Sequence, residues 1–436
     1  MKNNLLLGAF LVLSVQPLAA KTNKSTSEWE VIPVGSEMEI IDDQGNQQTI
    51  NPACAFDSIA DPQGGPPLDN SFHFYFKPGK DKKLVVYFNG GGACWNDATC
   101  VSSLALAGVP DARPSYNPSV LQNNSPEGAG GIFDDESKDN PFKDWSKVFI
   151  PYCSGDLHVG SNDVVYSDVD GLVTSYPGAP VTVKHRGFDN FLAVKEWLKN
   201  NFVQEKGKDK GKDKSKSKVK ELLVTGSSAG GYGATLNFPH LQSVFPDARA
   251  SMFADASEAI VTQGFIQDIF SQGTNWNLDQ TLHPVFSDAL GVYSAYGFNT
   301  QIFNQLTQAF PDSRFAQYST AYDLVQVQFL KISDQLDIGN TNPFTWGLNE
   351  TDFLYFYEWN IRMQTSLAQL SATTDNYQYY IGAGNIHTIL TDAFATEATP
   401  HPFYEEESAD NVKFSKWLKD FVKSKDFKEQ SVAYSD

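Results

Sequence analysis

One short turn in the middle of the sequence could carry out nucleophilic chemistry. Its residues form a G-x-S-x-G pattern, Gly226-Ser-Ser-Ala-Gly230, directly after the apolar run Leu222–Thr225. Small residues beside the central serine allow a sharp bend between a buried strand and a helix, and this bend projects the serine hydroxyl above the sheet. The helix N-terminus favours the negative charge that develops there. A purely structural glycine turn is the alternative, but the strand-like and helix-like flanks favour Ser228 as a nucleophile.

A second glycine-rich segment could bind the negative charge that forms when a serine attacks a carbonyl group. The strand-like run Leu84–Phe88 is followed by Asn89-Gly-Gly-Gly92. This segment resembles the HGGG-type loop of esterases, with asparagine in place of histidine, and such loops supply a backbone N–H to the oxyanion. We predict an oxyanion hole at the N–H groups of Gly91, Gly92 and Ala229. A phosphate-binding loop is the alternative, but it requires a following Lys-Ser/Thr pair that is absent here.

A serine nucleophile also needs a base, and four histidines follow it in the sequence. His240 falls within the helix predicted after the turn, and His283 precedes a proline and lies before the predicted acid. His387 follows the apolar run Tyr377–Ile381 through a glycine-containing loop. Ligands of α/β proteins bind at this carboxyl end of the strands. We therefore predict His387 as the base and keep His401 as the second candidate.

The carboxylate that orients this histidine is predicted at Asp323, with Asp255 as the alternative. Enzymes with this serine turn carry their triad in the order serine, acid, histidine. Asp255 follows the run Ala250–Phe253, the first strand after the serine, whereas Asp323 follows Phe315–Tyr318, one strand further on. The later strand is the usual place for the acid. We therefore assign the acid to Asp323 and interpret Asp255 as a cap of the next helix.

Strand-like and helix-like segments alternate along the chain and would position these residues. The short apolar runs are Leu84–Phe88, Val148–Ile150, Leu222–Thr225, Ala250–Phe253, Phe315–Tyr318 and Tyr377–Ile381. The helical patterns are Phe188–Phe202, Tyr232–Ser243, Ala259–Phe270, Tyr322–Leu336, Asp352–Leu370 and an amphipathic stretch from about Asn411 to Lys423. This alternation predicts an α/β-hydrolase fold: a mostly parallel central sheet with helices on both faces and helical insertions above the active site.

Two aromatic-rich interruptions, about Gln263–Phe310 and Leu324–Asp375, are the predicted insertions. Their aromatic residues could line a substrate cleft, although aromatic residues at this density more often fill a core, which is the interpretation we favour. The residues concerned are Trp276, Tyr293, Tyr296, Trp346, Phe353, Tyr355 and Tyr357.

The composition restricts the class of protein and its partners. The 436 residues include 33 Lys and Arg against 52 Asp and Glu, and the resulting net charge of −19 argues against a nucleic-acid partner. A basic segment runs from Lys206 to Lys220 with lysine at every second position. We predict a disordered surface loop at about 205–220, with a tether to an anionic polymer as the alternative. The loop interrupts one domain, predicted over residues 21–436.

The first residues have the order of a secretory signal peptide. Lys2 provides a positive charge, Leu5–Val15 is apolar, and Pro17-Leu-Ala-Ala20 ends in small residues. The apolar run is too short to span a bilayer comfortably, and no later apolar stretch is long enough. A buried first strand or helix is the alternative. We predict a signal peptide over residues 1–20 and a secreted or periplasmic mature protein without an integral membrane segment.

The four cysteines fit an oxidising compartment. Cys94 and Cys100 flank a short loop and could close it locally, which would leave Cys54 with Cys153. Free buried thiols are the alternative. A zinc site is not predicted, because the paired spacing and the nearby histidines that zinc favours are absent.

These motifs together resemble the pectin acetylesterase family of α/β-hydrolase serine esterases, which also includes Notum. The resemblance covers residues 74–388 and rests on Tyr87-Phe-Asn-Gly-Gly-Gly-Ala-Cys94 with Cys100, Pro151-Tyr-Cys-Ser-Gly-Asp156, His185-Arg-Gly187, Gly226-Ser-Ser-Ala-Gly-Gly231, Tyr322-Asp323 and Ile386-His387-Thr388. It implies a triad of Ser228, Asp323 and His387 and an oxyanion hole near Gly91, Gly92 and Ala229. The chain differs from the usual pattern at three positions. Asn89 stands where the family commonly has glutamate, and Ala93 and His158 stand where it commonly has aromatic residues.

The sequence therefore predicts a secreted, monomeric serine esterase. It would remove acetyl or other acyl groups from a polysaccharide or a similar extracellular ester through an acyl-enzyme, without a metal or an organic cofactor. A lipase, polyester depolymerase or peptidase with the same triad is the first alternative. A non-catalytic binding protein on the same fold is the second.

Overall fold

The computed structural model describes residues 28–42, 44–59, 68–80, 82–106, 114–120, 124–204, 216–271, 273–287, 290–391, 402–408, 410–423 and 431–434. The predicted signal peptide, the second candidate base His401 and residues 205–215 of the lysine-rich segment lie outside these ranges. No helix in the described ranges combines the length and the apolar composition that crossing a membrane requires.

An eight-stranded sheet forms the centre of the protein. In chain order its strands are β1 Glu30–Pro33, β2 His73–Lys77, β3 Lys83–Phe88, β4 Ser146–Ile150, β5 Glu221–Ser227, β6 Arg249–Asp255, β7 Arg314–Thr320 and β8 Tyr377–Gly382. Their spatial order is β1-β2-β4-β3-β5-β6-β7-β8. The β1–β2 and β2–β4 pairs are antiparallel, and every other pair is parallel. The predicted mostly parallel sheet is therefore confirmed, and all six predicted apolar runs lie within its strands.

The central strands bury both of their faces. On β5, Leu222 and Val224 belong to the larger core cluster, while Leu223 belongs to the cluster on the opposite face. Every residue of β7 is buried. A strand covered on both faces favours apolar residues at successive positions, as in Leu222-Leu-Val224 of β5, whereas β7 also buries the polar side chains of Gln317 and Ser319.

Helices cover both faces of this sheet. The larger core cluster contains residues of α2, α3, α7 and α9, and the opposite cluster contains residues of α11. The α-helices are α1 Asp97–Cys100, α2 Gly187–Phe202, α3 Ala229–Val244, α4 Gln263–Ile269, α5 Leu278–Thr281, α6 Pro284–Ser287, α7 Phe298–Ala309, α8 Leu324–Asp337, α9 Phe353–Thr373, α10 Pro402–Glu405 and α11 Phe414–Lys423. Short 3₁₀ helices span Ser102–Leu106, Gly131–Phe133 and Pro343–Thr345.

Four helices begin later than their sequence patterns predict, and three of these starts have a local cause. Ala259 has a φ of 52°, which is incompatible with a helix, and the side chain of Thr262 caps α4 instead. The carboxylate of Asp323 caps α8, so this helix begins at Leu324 rather than at Tyr322. The last helix begins at Phe414 rather than near Asn411, whose φ of 56° is also non-helical.

Short antiparallel strand pairs lie outside the central sheet. The longest joins Asn162–Asp168 to Ala179–His185, and smaller ones join Met38–Ile41 to Gln47–Ile50 and Ser58–Ile59 to Leu68–Asp69. Another pairs Val203–Gln204 with Lys216–Ser217. This pair corrects the predicted extent of the lysine-rich loop. Residues 216–220 are ordered, because Ser217 and Val219 are buried and their neighbours are paired.

Both predicted cysteine pairs are bonded in the structure. Cys54 is joined to Cys153 and Cys94 to Cys100, and all four side chains are fully buried. The first bond connects residues 99 positions apart and the second connects residues 6 positions apart. The short bond closes the segment directly after Gly92.

The two disulfides should differ in how much they stabilise the fold. Cross-linking reduces the entropy of the unfolded chain more when the closed loop is longer, by about 4.7 kcal/mol for a 100-residue loop and roughly 2 kcal/mol for a loop of a few residues. We expect the pair Cys54→Ala and Cys153→Ala to lower the free energy of unfolding more than the pair Cys94→Ala and Cys100→Ala. Denaturant unfolding of both double variants measures this difference. A larger loss from the short loop would contradict the expectation.

Candidate active site

Ser228 lies in a sharp turn between β5 and α3. Its backbone has φ 56° and ψ −127°, a combination that residues with side chains rarely adopt. Two hydrogen bonds hold this conformation: the Ser228 N–H donates to the Asp255 carbonyl at 2.8 Å, and the Ser257 hydroxyl donates to the Ser228 carbonyl at 2.7 Å. A side chain on Gly226 would overlap the carbonyl of Gly230, so the small residues of the pattern are required by close packing.

Hydrogen bonds on both sides of Gly92 fix the conformation of the glycine loop after β3. The N–H of Asn117 donates to the Gly91 carbonyl at 2.8 Å, and the N–H of Ala93 donates to the Ser115 carbonyl at 2.9 Å. Between these bonds Gly92 has a φ of +79°, and a side chain there would overlap the Ser115 carbonyl. Glycine is therefore the residue that fits this position.

Two of the three residues predicted for the oxyanion hole lie at the cavity of Ser228. Gly92 and Ala229 line the same cavity as Ser228, whereas Gly91 is not among the residues that line it. Ala229 is the first residue of α3, so its N–H has no acceptor within the helix. Within the described part of the chain, no hydrogen bond uses the N–H of Gly91, Gly92 or Ala229.

Two of the residues that depart from the family pattern support the start of this loop. His158 Nε2 donates to the Asn89 carbonyl at 2.9 Å, and the Asn89 side chain donates to Asn124 Oδ1 at 2.7 Å. Asn124 in turn donates to the Tyr152 carbonyl at 2.6 Å. Burial lowers the pKa of His158 to about 4, so its ring is neutral near pH 7. These bonds connect the glycine loop to the loop after β4.

Asp323 and His387 contact each other as predicted from their order in the sequence. His387 Nδ1 lies 2.9 Å from Asp323 Oδ1 and 2.8 Å from Oδ2, and both side chains are buried. Asp323 also accepts hydrogen bonds from the N–H groups of Val325 and Gln326, each at 3.0 Å. A ring nitrogen that faces a carboxylate carries hydrogen, so Nε2 of the neutral ring can accept a proton.

The three residues come from the carboxyl ends of three strands. Ser228 follows β5, Asp323 follows β7 through a short loop, and His387 follows β8. Parallel strands end at one edge of the sheet, so residues far apart in sequence meet there. Ser228 and His387 line one cavity at this edge.

Asp255 does not cap a helix, and this prediction was wrong. Its buried carboxylate accepts hydrogen bonds from the Ser227 hydroxyl at 2.6 Å and from the N–H groups of Ile389 and Leu390 at 3.0 Å. Residues 256–262 are not helical, since Ala256 and Ala259 have positive φ, and the next helix is capped by Thr262. Asp255 instead connects the strand before the nucleophile to the loop after the predicted base.

Replacing Asp255 by asparagine should lower activity by about tenfold to a hundredfold. Burial raises the pKa of this carboxyl group to about 6, and its ionised form has the acceptors that three donors require. An amide would face those donors with its own NH₂ group, and one unpaired buried donor costs roughly 1–3 kcal/mol. The loop that carries His387 would then shift. The measurement is kcat/KM for Asp255→Asn beside Asp323→Asn, and a larger loss at Asp255 would identify it as the acid of the triad.

The cavity at Ser228 is mainly apolar. Its volume is about 70 Å³, counted over the positions that the centre of a water-sized sphere can occupy. Besides Ser228, His387 and the candidate oxyanion residues, its walls include Trp95, Leu157, Tyr232, Ile260, Val261, Phe265, Phe270, Phe298, Val325 and Phe329. An apolar wall of this kind binds hydrocarbon chains by removing them from water.

The aromatic residues proposed from the sequence as cleft candidates do not line this cavity. Trp276, Tyr293 and Trp346 are buried in the core, as the favoured interpretation predicted. Tyr296, Phe353 and Tyr357 are mostly exposed instead. The aromatic lining comes from other positions, which no pattern in the sequence distinguished from core residues.

One group of possible metal ligands occurs within the described ranges. The sulfur atoms of Cys94 and Cys100 lie close to a ring nitrogen of His185. Both cysteines form a disulfide, so neither offers a thiolate to an ion. The His185 ring is already engaged by the Ser154 carbonyl and the Tyr166 hydroxyl.

Comparison with known proteins gives one family over most of the chain. The sequence model of that family, described as Pectinacetylesterase, matches residues 64–434. Palmitoleoyl-protein carboxylesterase NOTUM of Schmidtea mediterranea is 28% identical over 174 residues, which are 39% of this chain and 27% of that protein. Pectin acetylesterase 5 of Arabidopsis thaliana is 24% identical over 238 residues, 51% of this chain and 48% of that protein. The matched regions thus span half or less of these relatives' lengths.

A solved structure shows the same fold. It is the second crystal form of the Wnt deacylase Notum from Drosophila, with a TM-score of 0.50 and 16% sequence identity. The match covers 88% of this chain and 97% of that chain. The predicted α/β-hydrolase fold is therefore confirmed.

Proposed function

Since the chain belongs to the pectinacetylesterase family, we propose that it is a carboxylic ester hydrolase that acts through Ser228, His387 and Asp323. The observation that carries this proposal is the contact between the buried Asp323 carboxylate and His387 beside the cavity of Ser228. A binding protein would have no need for a serine in a strained turn that shares its cavity with a histidine paired with a buried acid.

In the proposed first half-reaction, His387 Nε2 removes the proton of Ser228 Oγ as that oxygen attacks the ester carbonyl. The carbonyl oxygen becomes an oxyanion, and the N–H groups of Gly92 and Ala229 stabilise it. Collapse of this intermediate breaks the bond to the alcohol oxygen, which takes the proton from His387. Asp323 stabilises the charged ring between these steps.

In the second half-reaction, water replaces the alcohol. His387 removes a proton from water as the hydroxide oxygen attacks the acyl-enzyme, and returns it to Ser228 Oγ when the acid leaves. Each proton that His387 takes is given back within the same half-reaction. Protein groups and water therefore suffice for the complete cycle.

The apolar cavity favours substrates whose acyl chain is longer than acetyl. An acetyl group contributes one methyl group to the pocket, whereas each further buried CH₂ adds about 0.8 kcal/mol. One of the two relatives is named as an esterase for palmitoleoyl groups, which are long and unsaturated, and the other is named as an esterase for acetyl groups. The wall formed by Ile260, Phe265, Phe270 and Phe298 supports the first type of substrate. The alcohol part would remain at the open mouth.

We further propose that the enzyme acts outside the cytoplasm. Both disulfides and the signal-like order of residues 1–20 support export. An extracellular or periplasmic ester, such as an acylated polysaccharide or an acylated protein, is the corresponding class of substrate.

A series of 4-nitrophenyl esters from acetyl to octanoyl tests the proposed acyl specificity. We expect kcat/KM to rise with chain length, by up to about fourfold for each CH₂ that the cavity fully buries. Ile260→Trp should narrow the cavity and abolish this rise while leaving hydrolysis of the acetyl ester nearly unchanged. The acetyl ester thus serves as the control within each variant.

Two results would contradict the proposed function. Highest activity on acetyl esters, unchanged by Ile260→Trp, would exclude a long-chain acyl pocket. Absence of both ester hydrolysis and fluorophosphonate labelling at Ser228 would favour a non-catalytic binding protein. An amide series measured in parallel distinguishes a peptidase from an esterase.

A further inference from the structure

A second buried carboxyl group lies close to the acid of the triad. Glu258 is 0% exposed and belongs to the loop after β6. None of the proposed reaction steps uses it. A carboxyl group shielded from water must either find strong hydrogen-bond partners or remain uncharged. Its contacts therefore indicate what it contributes to the site.

Gln326, in the first turn of α8, contacts both acids through one side-chain amide. Its Nε2 donates to Glu258 Oε2 at 2.6 Å and to Asp323 Oδ2 at 3.0 Å. Its Oε1 accepts the N–H of Glu258 at 3.0 Å. A backbone N–H can only donate, so this bond determines which end of the amide is oxygen. Nε2 also lies 3.2 Å from the Ser319 hydroxyl oxygen, so its two hydrogens face three acceptors, of which Glu258 is the nearest.

The same glutamine also fixes the other oxygen of Asp323. Its backbone N–H donates to Asp323 Oδ1 at 3.0 Å. Gln326 therefore contacts both oxygens of the carboxylate that faces His387 Nδ1. Without the side-chain contact, Oδ2 would keep only His387 as a partner among the described residues, and the two backbone bonds to Oδ1 alone would hold the carboxylate.

We propose that Glu258 and Gln326 form a clamp that positions Asp323 for His387, and that Glu258 acts in this clamp as an uncharged carboxylic acid. The proposal rests on the proposed function, because Asp323 matters for activity only if it orients the base. Gln326 and Glu258 are thus positioning residues. Neither is required to touch the reacting atoms.

The charges around Glu258 support its neutral form. Burial raises its pKa well above the ordinary range, and the nearby carboxylates of Asp323 and Asp255 raise it further. The other ionisable groups that interact with it are the buried phenols of Tyr232 and Tyr377, which are neutral near pH 7. An uncharged acid can hold Gln326 in place without adding a third negative charge near His387.

Gln326→Leu tests the clamp, and Gln328→Leu is the matched control in the same helix. Leucine has nearly the same size but no hydrogen-bonding groups, and a misplacement of about 1 Å near the reacting groups can cost 10²-fold. We expect kcat to fall about tenfold to a hundredfold in Gln326→Leu and to stay at the wild-type value in Gln328→Leu. The low-field proton resonance of His387 Nδ1–H should shift or broaden only in the first variant. An unchanged kcat with an unchanged resonance would overturn the proposal.

Two variants of Glu258 test its contribution to the clamp and whether its carboxyl group is charged. Glu258→Leu removes a partner of Gln326 and should reproduce much of the loss, whereas Glu258→Gln resembles the uncharged acid and should recover most of the activity. If Glu258 were ionised, Glu258→Gln would move the acid limb of the kcat/KM profile to lower pH, because removal of a negative charge disfavours protonated His387. Such a shift, or full activity of Glu258→Leu, would contradict the proposal.

The proton spectrum also separates this proposal from the proposed function. A wild-type protein without esterase activity, in which the His387 resonance still responds to Gln326→Leu, would retain the clamp and reject the esterase. If the wild-type enzyme is active but Gln326→Leu leaves the His387 resonance unchanged, the esterase proposal stands and the clamp is rejected.

Discussion

Ser228→Ala is expected to reduce kcat on any ester substrate on the order of 10⁶-fold. The hydroxyl is the only group of the proposed mechanism that forms a bond to the substrate, and alanine leaves nothing in its place. Residual hydrolysis would come from the oxyanion amides of Gly92 and Ala229. Folding should change little, since alanine is smaller and must adopt the same positive φ of 56°. The measurement is kcat on a soluble ester together with the melting temperature.

A second serine in the following helix provides the control for this variant. Ser243 lies in the last turn of α3 and donates to the Pro239 carbonyl at 2.9 Å, away from the cavity. Ser243→Ala should retain wild-type turnover and fluorophosphonate labelling. Near wild-type activity of Ser228→Ala would remove this residue from the mechanism.

Asp323→Asn should reduce kcat by roughly 10⁴-fold, the loss known for such a change in a serine triad. Asparagine keeps the shape of the side chain, but its NH₂ group can face His387 Nδ1 and favour the tautomer with hydrogen on Nε2. That tautomer cannot accept the proton of Ser228. The buried carboxylate also stabilises the charged ring, and the amide does not.

The measurement is kcat on one soluble ester for Asp323→Asn and His387→Ala beside the wild type. His387→Ala should lose at least as much activity as Asp323→Asn, because it removes the base itself. If His387→Ala kept most of its activity, His401 would be the next candidate for the base.

The places of Ser228, Asp323 and His387 at one edge of the sheet could be predicted because each of these residues follows a strand-like segment. β5 is buried on both faces, and its sequence contains a continuous apolar run; β7 is also buried on both faces, and Phe315, Ala316 and Tyr318 mark it as a strand although Gln317 interrupts the run. Once the strands are located, the residues after their carboxyl ends are few, and the order of serine, acid and histidine selects among them. The Asp323–His387 contact, between residues 64 positions apart, follows from this reasoning alone.

The role of Asp255 could not be predicted in the same way. Its partners Ile389 and Leu390 donate through backbone N–H groups, which every residue except proline possesses, and they lie 134 and 135 positions away. Residue types therefore contain no sign of this contact. The residues of the cavity wall were missed for a related reason, because Phe265 or Phe298 in a wall has the same pattern as a phenylalanine in a core.

The order of β5, β7 and β8 along the chain also determines when catalytic capability arises during protein synthesis. A nascent polypeptide that ends before β8 carries the nucleophile and its acid but no base. Strand β8 also pairs with a residue near the C-terminal end of the described chain, since Tyr380 forms a parallel bridge with Val432. The ribosome must therefore release the polypeptide as far as Val432 before the strand that precedes His387 has all of its partners. A chain exported before it folds would then be inert towards the esters of the cell that makes it.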